Sequence, residues 1–106
     1  MTTFDEREKA FEEKFKHDQE LRFKVHARRN KLLGLWAAGK MGLKNADAEA
    51  YAKTVVDVDI QKTNDDGVIA KVLKDLTAKG ISASAADVRR EMERLLPAAK
   101  EQIAKA

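Results

Sequence analysis

The side chains able to do chemistry are few and scattered. His17 and His26 are the only imidazoles, and nine positions along a helix set them on different sides of it. Glu13 lies four residues before His17, but one carboxylate and one imidazole make a poor metal site, since zinc asks for three or four converging ligands. Both histidines read as ordinary solvent-side residues. Ser82 and Ser84, the only serines, are better used as helix caps than as nucleophiles. Gly39 and Gly42 are not followed by the Lys-Ser/Thr ending of a phosphate-binding loop. Cysteine is absent, which excludes thiol chemistry and disulfide staples and makes a reducing compartment the natural home. No catalytic group, metal site or cofactor is expected, so the chain reads as something other than an enzyme.

One stretch can attract phosphate, the segment "KVHARRNK" at residues 24–31. It lies in a block, residues 21–44, that holds seven Lys/Arg and no acid. Residues 1–20 hold seven acids and four Lys/Arg, and residues 45–106 hold eleven acids and ten bases. The net charge is only +3, so its placement matters more than its size. Such a block is either a solvated helix face or a docking surface for an acidic partner. The alternative class is a small basic helical nucleic-acid-binding protein. Against it, no aromatic platform is interleaved with the basic residues, and acids earlier on the same helix would repel a polyanion. Nucleic acid is therefore not the expected partner, while weak nucleotide or phosphate binding at this block stays open.

The elements that must position these residues are all helical. A chain of 106 residues suits one small domain with a single core. Ala, Lys, Glu and Leu dominate, proline occurs once, and no alternating pattern marks a strand. Thr3 with Glu6 is a capping box, and helical character then runs to about Ala38, stopped by Gly39 and Gly42. Gly34 inside this helix suits close packing of a second helix beside Trp36. Asn45 or Asp47, Asn64 or Asp65, and Ser84 with Asp87 cap three more helices, and Gly80 ends the third. The signals predict helices over about 20–38, 46–62, 65–79 and 84–105, with a bend or interruption near Pro97. Short connections between amphipathic helices give an all-α fold, a small four-helix bundle. Expected to be largely buried are Leu21, Val25, Leu32, Leu33, Trp36, Tyr51, Val55, Val72, Leu76, Met92 and Leu95.

The first helix does not keep one face. Phe4, Phe11 and Phe15 form one stripe, and Leu21, Val25, Leu32 and Trp36 form another. The step from Phe15 to Leu21 turns about 240°, so the stripes point in different directions, with the break near His17 and Asp18. The later stripe suits the core. The phenylalanines suit helix-in-groove recognition by a partner, with packing on the bundle or a homodimer as the alternatives. The N-terminal part of this long helix is expected to be mobile or protruding, with Phe4 and Phe11 mainly exposed. No apolar run approaches the length that crosses a bilayer, and the charged start lacks the apolar centre of a signal peptide. A soluble cytoplasmic protein is expected.

The stretch "ARRNKLLGLWAAGKMGL", residues 27–43, carries a resemblance, with "TTFDEREKAFEEKFKHD" before it and "AEAYAKTVVDVD" and "ADVRREMERLLPAAKEQI" after it. Over essentially its whole length the chain resembles the ζ subunits, inhibitors of the alphaproteobacterial F-type ATP synthase. The resemblance implies a regulatory subunit whose N-terminal segment, residues 1–19 here, enters the interface between an α and a β subunit near the rotating γ subunit. There it blocks ATP hydrolysis, while a helical bundle, residues 20–106, anchors it. Partner contacts then fall to Phe4, Arg7, Phe11, Lys14 and Phe15 in the segment, and to Arg22, Arg28 and Arg29 in the basic block. The implied location is the inner face of the cytoplasmic membrane, peripheral and held there through the ATP synthase.

Overall fold

The computed structural model describes residues 19–62 and 65–105, helical throughout except at 41–44 and 79–84. The four helices are α1 (Gln19–Lys40), α2 (Asn45–Lys62), α3 (Asp65–Ala78) and α4 (Ala85–Lys105). The all-α bundle read from the sequence is the fold observed. The Thr3–Glu6 capping box, His17 and the first phenylalanine stripe lie outside the described residues.

Two helices end by the same device. Gly42 and Gly80 both take left-handed backbone, with φ of 79° and 76°, a geometry that glycine adopts without side-chain strain. Past each glycine the chain folds back on its helix: Leu43 N donates to Ala38 O and Ile81 N to Leu76 O, each at 2.9 Å. Both are glycine-closed ends in which a following apolar residue covers the last turn. Gly39, expected to share the stop with Gly42, is still helical. The opposite signal appears at the start of α4. Ser84 Oγ accepts from the Asp87 amide at 3.1 Å, and Asp87 Oδ2 accepts from the Ser84 amide at 3.0 Å. That reciprocal cap covers two free donors, and the bonds to Ser84 hold the Asp87 carboxyl below its ordinary range. Helix α4 then runs through Pro97 without interruption. Glu93, whose carbonyl Pro97 cannot serve, lies with Pro97 on the exposed side, where water can serve it instead.

Helix α1 is the centre of the bundle. It packs on α2, α3 and α4, α2 meets α3, and α3 meets α4, but α2 and α4 do not touch. The core gathers Leu33 and Ala37 of α1, Val55 of α2, Val68, Ile69, Val72 and Leu76 of α3, and Val88 and Met92 of α4. Gly34 sets the approach of α2. A methyl group built there would lie 2.6 Å from Ala52 Cα, so the two backbones meet where no side chain fits between them.

The buried face of α1 is turned from the one expected. Val25, Leu33 and Ala37 are fully buried, whereas Leu21, Leu32 and Trp36 are half-buried. Tyr51 and Leu95, also expected in the core, are half-buried at its edge. The spacing of four from Val25 through Arg29 and Leu33 to Ala37 is the true stripe, and α2, α3 and α4 converge on it. The second stripe is corrected in this way, while Phe15, on the other side of the expected phase break, lies outside the described residues.

Candidate partner-binding surface

A buried polar cluster shapes the surface of α1. Arg29 is 4% exposed, and its Nη2 donates to Asp65 Oδ1 at 2.7 Å. Its Nε and Nη2 also reach Asn30 Oδ1, at 3.2 and 3.1 Å. Asn30 is itself fully buried. The guanidinium thus ties the middle of α1 to the first residue of α3, with its fork of donors shared between a carboxylate and an amide oxygen. This corrects the assignment of Arg29 to partner contact. It lies four residues from both Val25 and Leu33, and a position on that face has no exit to solvent. The spacing that exposes this was present in the sequence. Asn30, one step further round, was missed with it.

The start of α1 is different. Arg22 is exposed and Arg28 half-buried, and no ion pair engages either among the described residues. Lys24 is exposed, and Phe23 between Arg22 and Lys24 is 52% exposed. Among the described residues no other large apolar side chain is as open. Phe23 was not assigned a role in the sequence, although its place two residues from Val25, about 200° around the helix, marks it as off the core stripe. Lys31 reaches Glu49 at 3.6 Å, with both groups well exposed, a pairing of little energetic weight. His26 is half-buried. Phe4, Arg7, Phe11, Lys14 and Phe15 lie outside the described residues.

Polar groups elsewhere serve the bundle. Tyr51 OH donates to Asp75 Oδ2 at 2.9 Å, joining α2 to α3, and Lys71 Nζ meets the same oxygen at 2.8 Å. Burial, then the bond to Asp75, raises the Tyr51 phenol well above its ordinary range. Burial pulls Asp75 upward, but Lys71 and Tyr51 outweigh it and hold the carboxyl below its ordinary range. On α4, Arg89 pairs with Asp66 at 2.9 Å. A groove of about 350 Å³ opens at the far end of α1 between Trp36, Lys40, Ala83, Asp87, Arg90 and Arg94. Lys40 Nζ lies 5.1 Å from the centre of the Trp36 ring, and Arg90 and Arg94 are partnered along α4 by Asp87 and Glu91. Among the described residues no cluster of three or more His, Cys, Asp or Glu is placed to hold a metal ion.

Among the described residues, the start of α1 carries exposed Arg22, Phe23 and Lys24 in a row. The profile of a family described as ATPase inhibitor subunit zeta matches residues 1–102. The chain belongs to this family. A comparison with curated proteins gives no match. Among solved structures, one determined in solution by NMR is 41% identical, with 80% of this chain and 96% of that chain covered and a TM-score of 0.70. Zeta-family membership takes in both the acidic, phenylalanine-bearing stretch before Gln19 and the basic helix that follows. It makes the chain a member of a family of ATPase inhibitors, whose task is contact with another protein. Among the described residues no helix is long and apolar enough to cross a membrane.

Proposed function

We propose that this chain is the inhibitory subunit of an F-type ATP synthase. Its N-terminal residues 2–19 enter an α/β interface beside γ and stop turnover in the hydrolytic direction, and the bundle holds them in place. The observation that carries the reading is the family match, which runs unbroken from residue 1 through the bundle. Physical chemistry supports the division of labour. Among the described residues the buried core begins at Val25, past the segment assigned to inhibition. A segment of that length is marginal as an isolated helix and gains order most readily by docking. Pairs such as Asp5–Lys9 and Glu12–Lys16 favour the helix by a few tenths of a kcal/mol each. Phe11 and Phe15 supply the buried area, Phe4, Arg7 and Lys14 complete the contact, and Arg22 and Arg28 steer it.

ATP synthesis is spared because rotation in that direction expels the wedge. The chain then resides on the cytoplasmic side of the membrane, attached through the synthase. With Arg29 spent inside the bundle, the free positive charge that a nucleic-acid-binding reading needs is reduced, and that alternative is correspondingly weaker.

The test is to add the purified chain to its own ATP synthase and follow hydrolysis and synthesis separately. Full-length chain is expected to stop hydrolysis and leave synthesis running. Phe11→Ala with Phe15→Ala is expected to weaken inhibition by about 2 kcal/mol or more per ring if both are anchors. Removal of residues 2–19 is expected to abolish inhibition with the bundle still folded by circular dichroism. A truncated bundle that inhibits as well as the whole chain overturns the mechanism.

A further inference from the structure

Phe23 is well exposed, yet its spacing sets it on the side of α1 that meets α2 further along. The spacing from Phe23 through Ala27 and Asn30 to Gly34 is four, three and four, which sets all of them on one side of α1. Gly34 on that side meets Ala52 of α2, so Phe23 lies on the α2-facing side, about three turns nearer the start of α1. Its ring is nevertheless 52% exposed. Arg22 and Lys24 beside it are exposed, and residues 21–44 hold no acid.

We propose that Phe23, rimmed by Arg22 and Lys24, is a second anchor for the catalytic sector of the ATPase, received there by an apolar notch edged with carboxylates. The inference rests on the inhibitory function proposed above and adds a contact outside residues 2–19. Three observations select this occupant. Phe23 sits one turn past Gln19, so the surface is continuous with the inhibitory segment. A ring with a cationic rim matches an acid-edged pocket, where the rim sets approach and the ring sets residence. A second copy packed symmetrically here would set Arg22 and Lys24 of the two molecules against each other.

The absence of cysteine allows a direct test in the full chain. A thiol placed by Phe23→Cys is reacted with a fluorescent maleimide, alone and with saturating catalytic sector, and Thr77→Cys, at an exposed position of α3, serves as the reference. The complex is expected to slow labelling at position 23 about tenfold or more and to leave position 77 unchanged. Phe23→Ala is expected to raise the concentration for half-inhibition of hydrolysis about tenfold or more, with an unaltered thermal melt. A folded Phe23→Ala chain that inhibits like the unaltered one overturns the inference alone. Slow labelling in the free chain also overturns it: concentration-dependent protection assigns the patch to a second copy, and concentration-independent protection assigns it to the N-terminal segment. An unaltered chain that does not inhibit hydrolysis overturns the function proposed above, and this anchor with it.

Discussion

Gly34→Ala separates helix propensity from helix packing in one substitution. Propensity alone favours the change by roughly 1 kcal/mol, since glycine inside a helix is costly. The structure reverses that sign. The new methyl would stand 2.6 Å from Ala52 Cα, 3.1 Å from Ala52 Cβ and 3.2 Å from Val55 Cγ2. Ordinary carbon contacts lie at about 3.5–4.0 Å, so α2 must retreat by about 1 Å along a core contact. The nearest atom is backbone, so no rotamer change relieves it. Overpacking of this kind costs roughly 2–3 kcal/mol, which leaves a net loss of about 1–2 kcal/mol. For a domain of this size that is a fall in Tm of about 5–10 °C, measured by circular dichroism with a urea titration alongside. Ala52→Gly removes the contact to Cβ and leaves the contact to Cα, so the double variant is expected to recover only part of the loss. A Gly34→Ala chain more stable than the parent refutes the close crossing of α1 and α2.

The two adjacent arginines are expected to part company. Arg29→Ala should lower stability by about 2–4 kcal/mol in urea unfolding, because it empties a buried site and strands Asn30, whereas Arg28→Ala should stay within about 0.5 kcal/mol and weaken inhibition most at low salt. Asp65→Asn should cost less than Arg29→Ala, about 1 kcal/mol, since that carboxylate is half exposed and water replaces part of its role. Tyr51 is the only tyrosine, so its titration can be followed directly by ultraviolet absorbance. The folded phenol should ionise well above its ordinary value of 10.0, and the unfolded chain should ionise near it. Its pKa is higher in the folded state, so its contribution to stability is intact below the unfolded value and is lost as pH rises through the folded one. Tyr51→Phe should flatten that alkaline decline. An unshifted titration refutes the bond to Asp75.

Helix existence and ends were legible because they are local. Gly42, Gly80 and the Ser84–Asp87 box terminate or start helices through bonds within a few residues, and residue type alone reveals them. Gly34 was readable for a related reason, since glycine inside an otherwise strong helix pattern marks a close neighbour. The face of α1 was less legible. Three helices converge on α1, so its buried arc is wide, and Leu21, Leu32 and Trp36 fall on its margins while the small Ala37 and the polar Arg29 and Asn30 fall at its centre. A stripe drawn through large apolar residues misses a face built partly from small and polar ones. The spacing of Arg29 from Val25 and Leu33 marked it as internal, but its partner Asp65 stands thirty-six residues away, so the pairing itself was not legible.

The position of α1 has a mechanical consequence. Under the function proposed above, tension from a rotary partner would enter the bundle at the start of α1. Because α1 touches all three of the other helices, it can be withdrawn only by sliding past all of them together. The Gly34–Ala52 contact and the Arg29–Asp65 tie would have to yield in the same stroke. Had the wedge been fused to α2 or α4, which do not touch each other, the same tension could strip one helix from the rim, contact after contact. Loaded through its central member, the bundle resists in shear and behaves as a rivet.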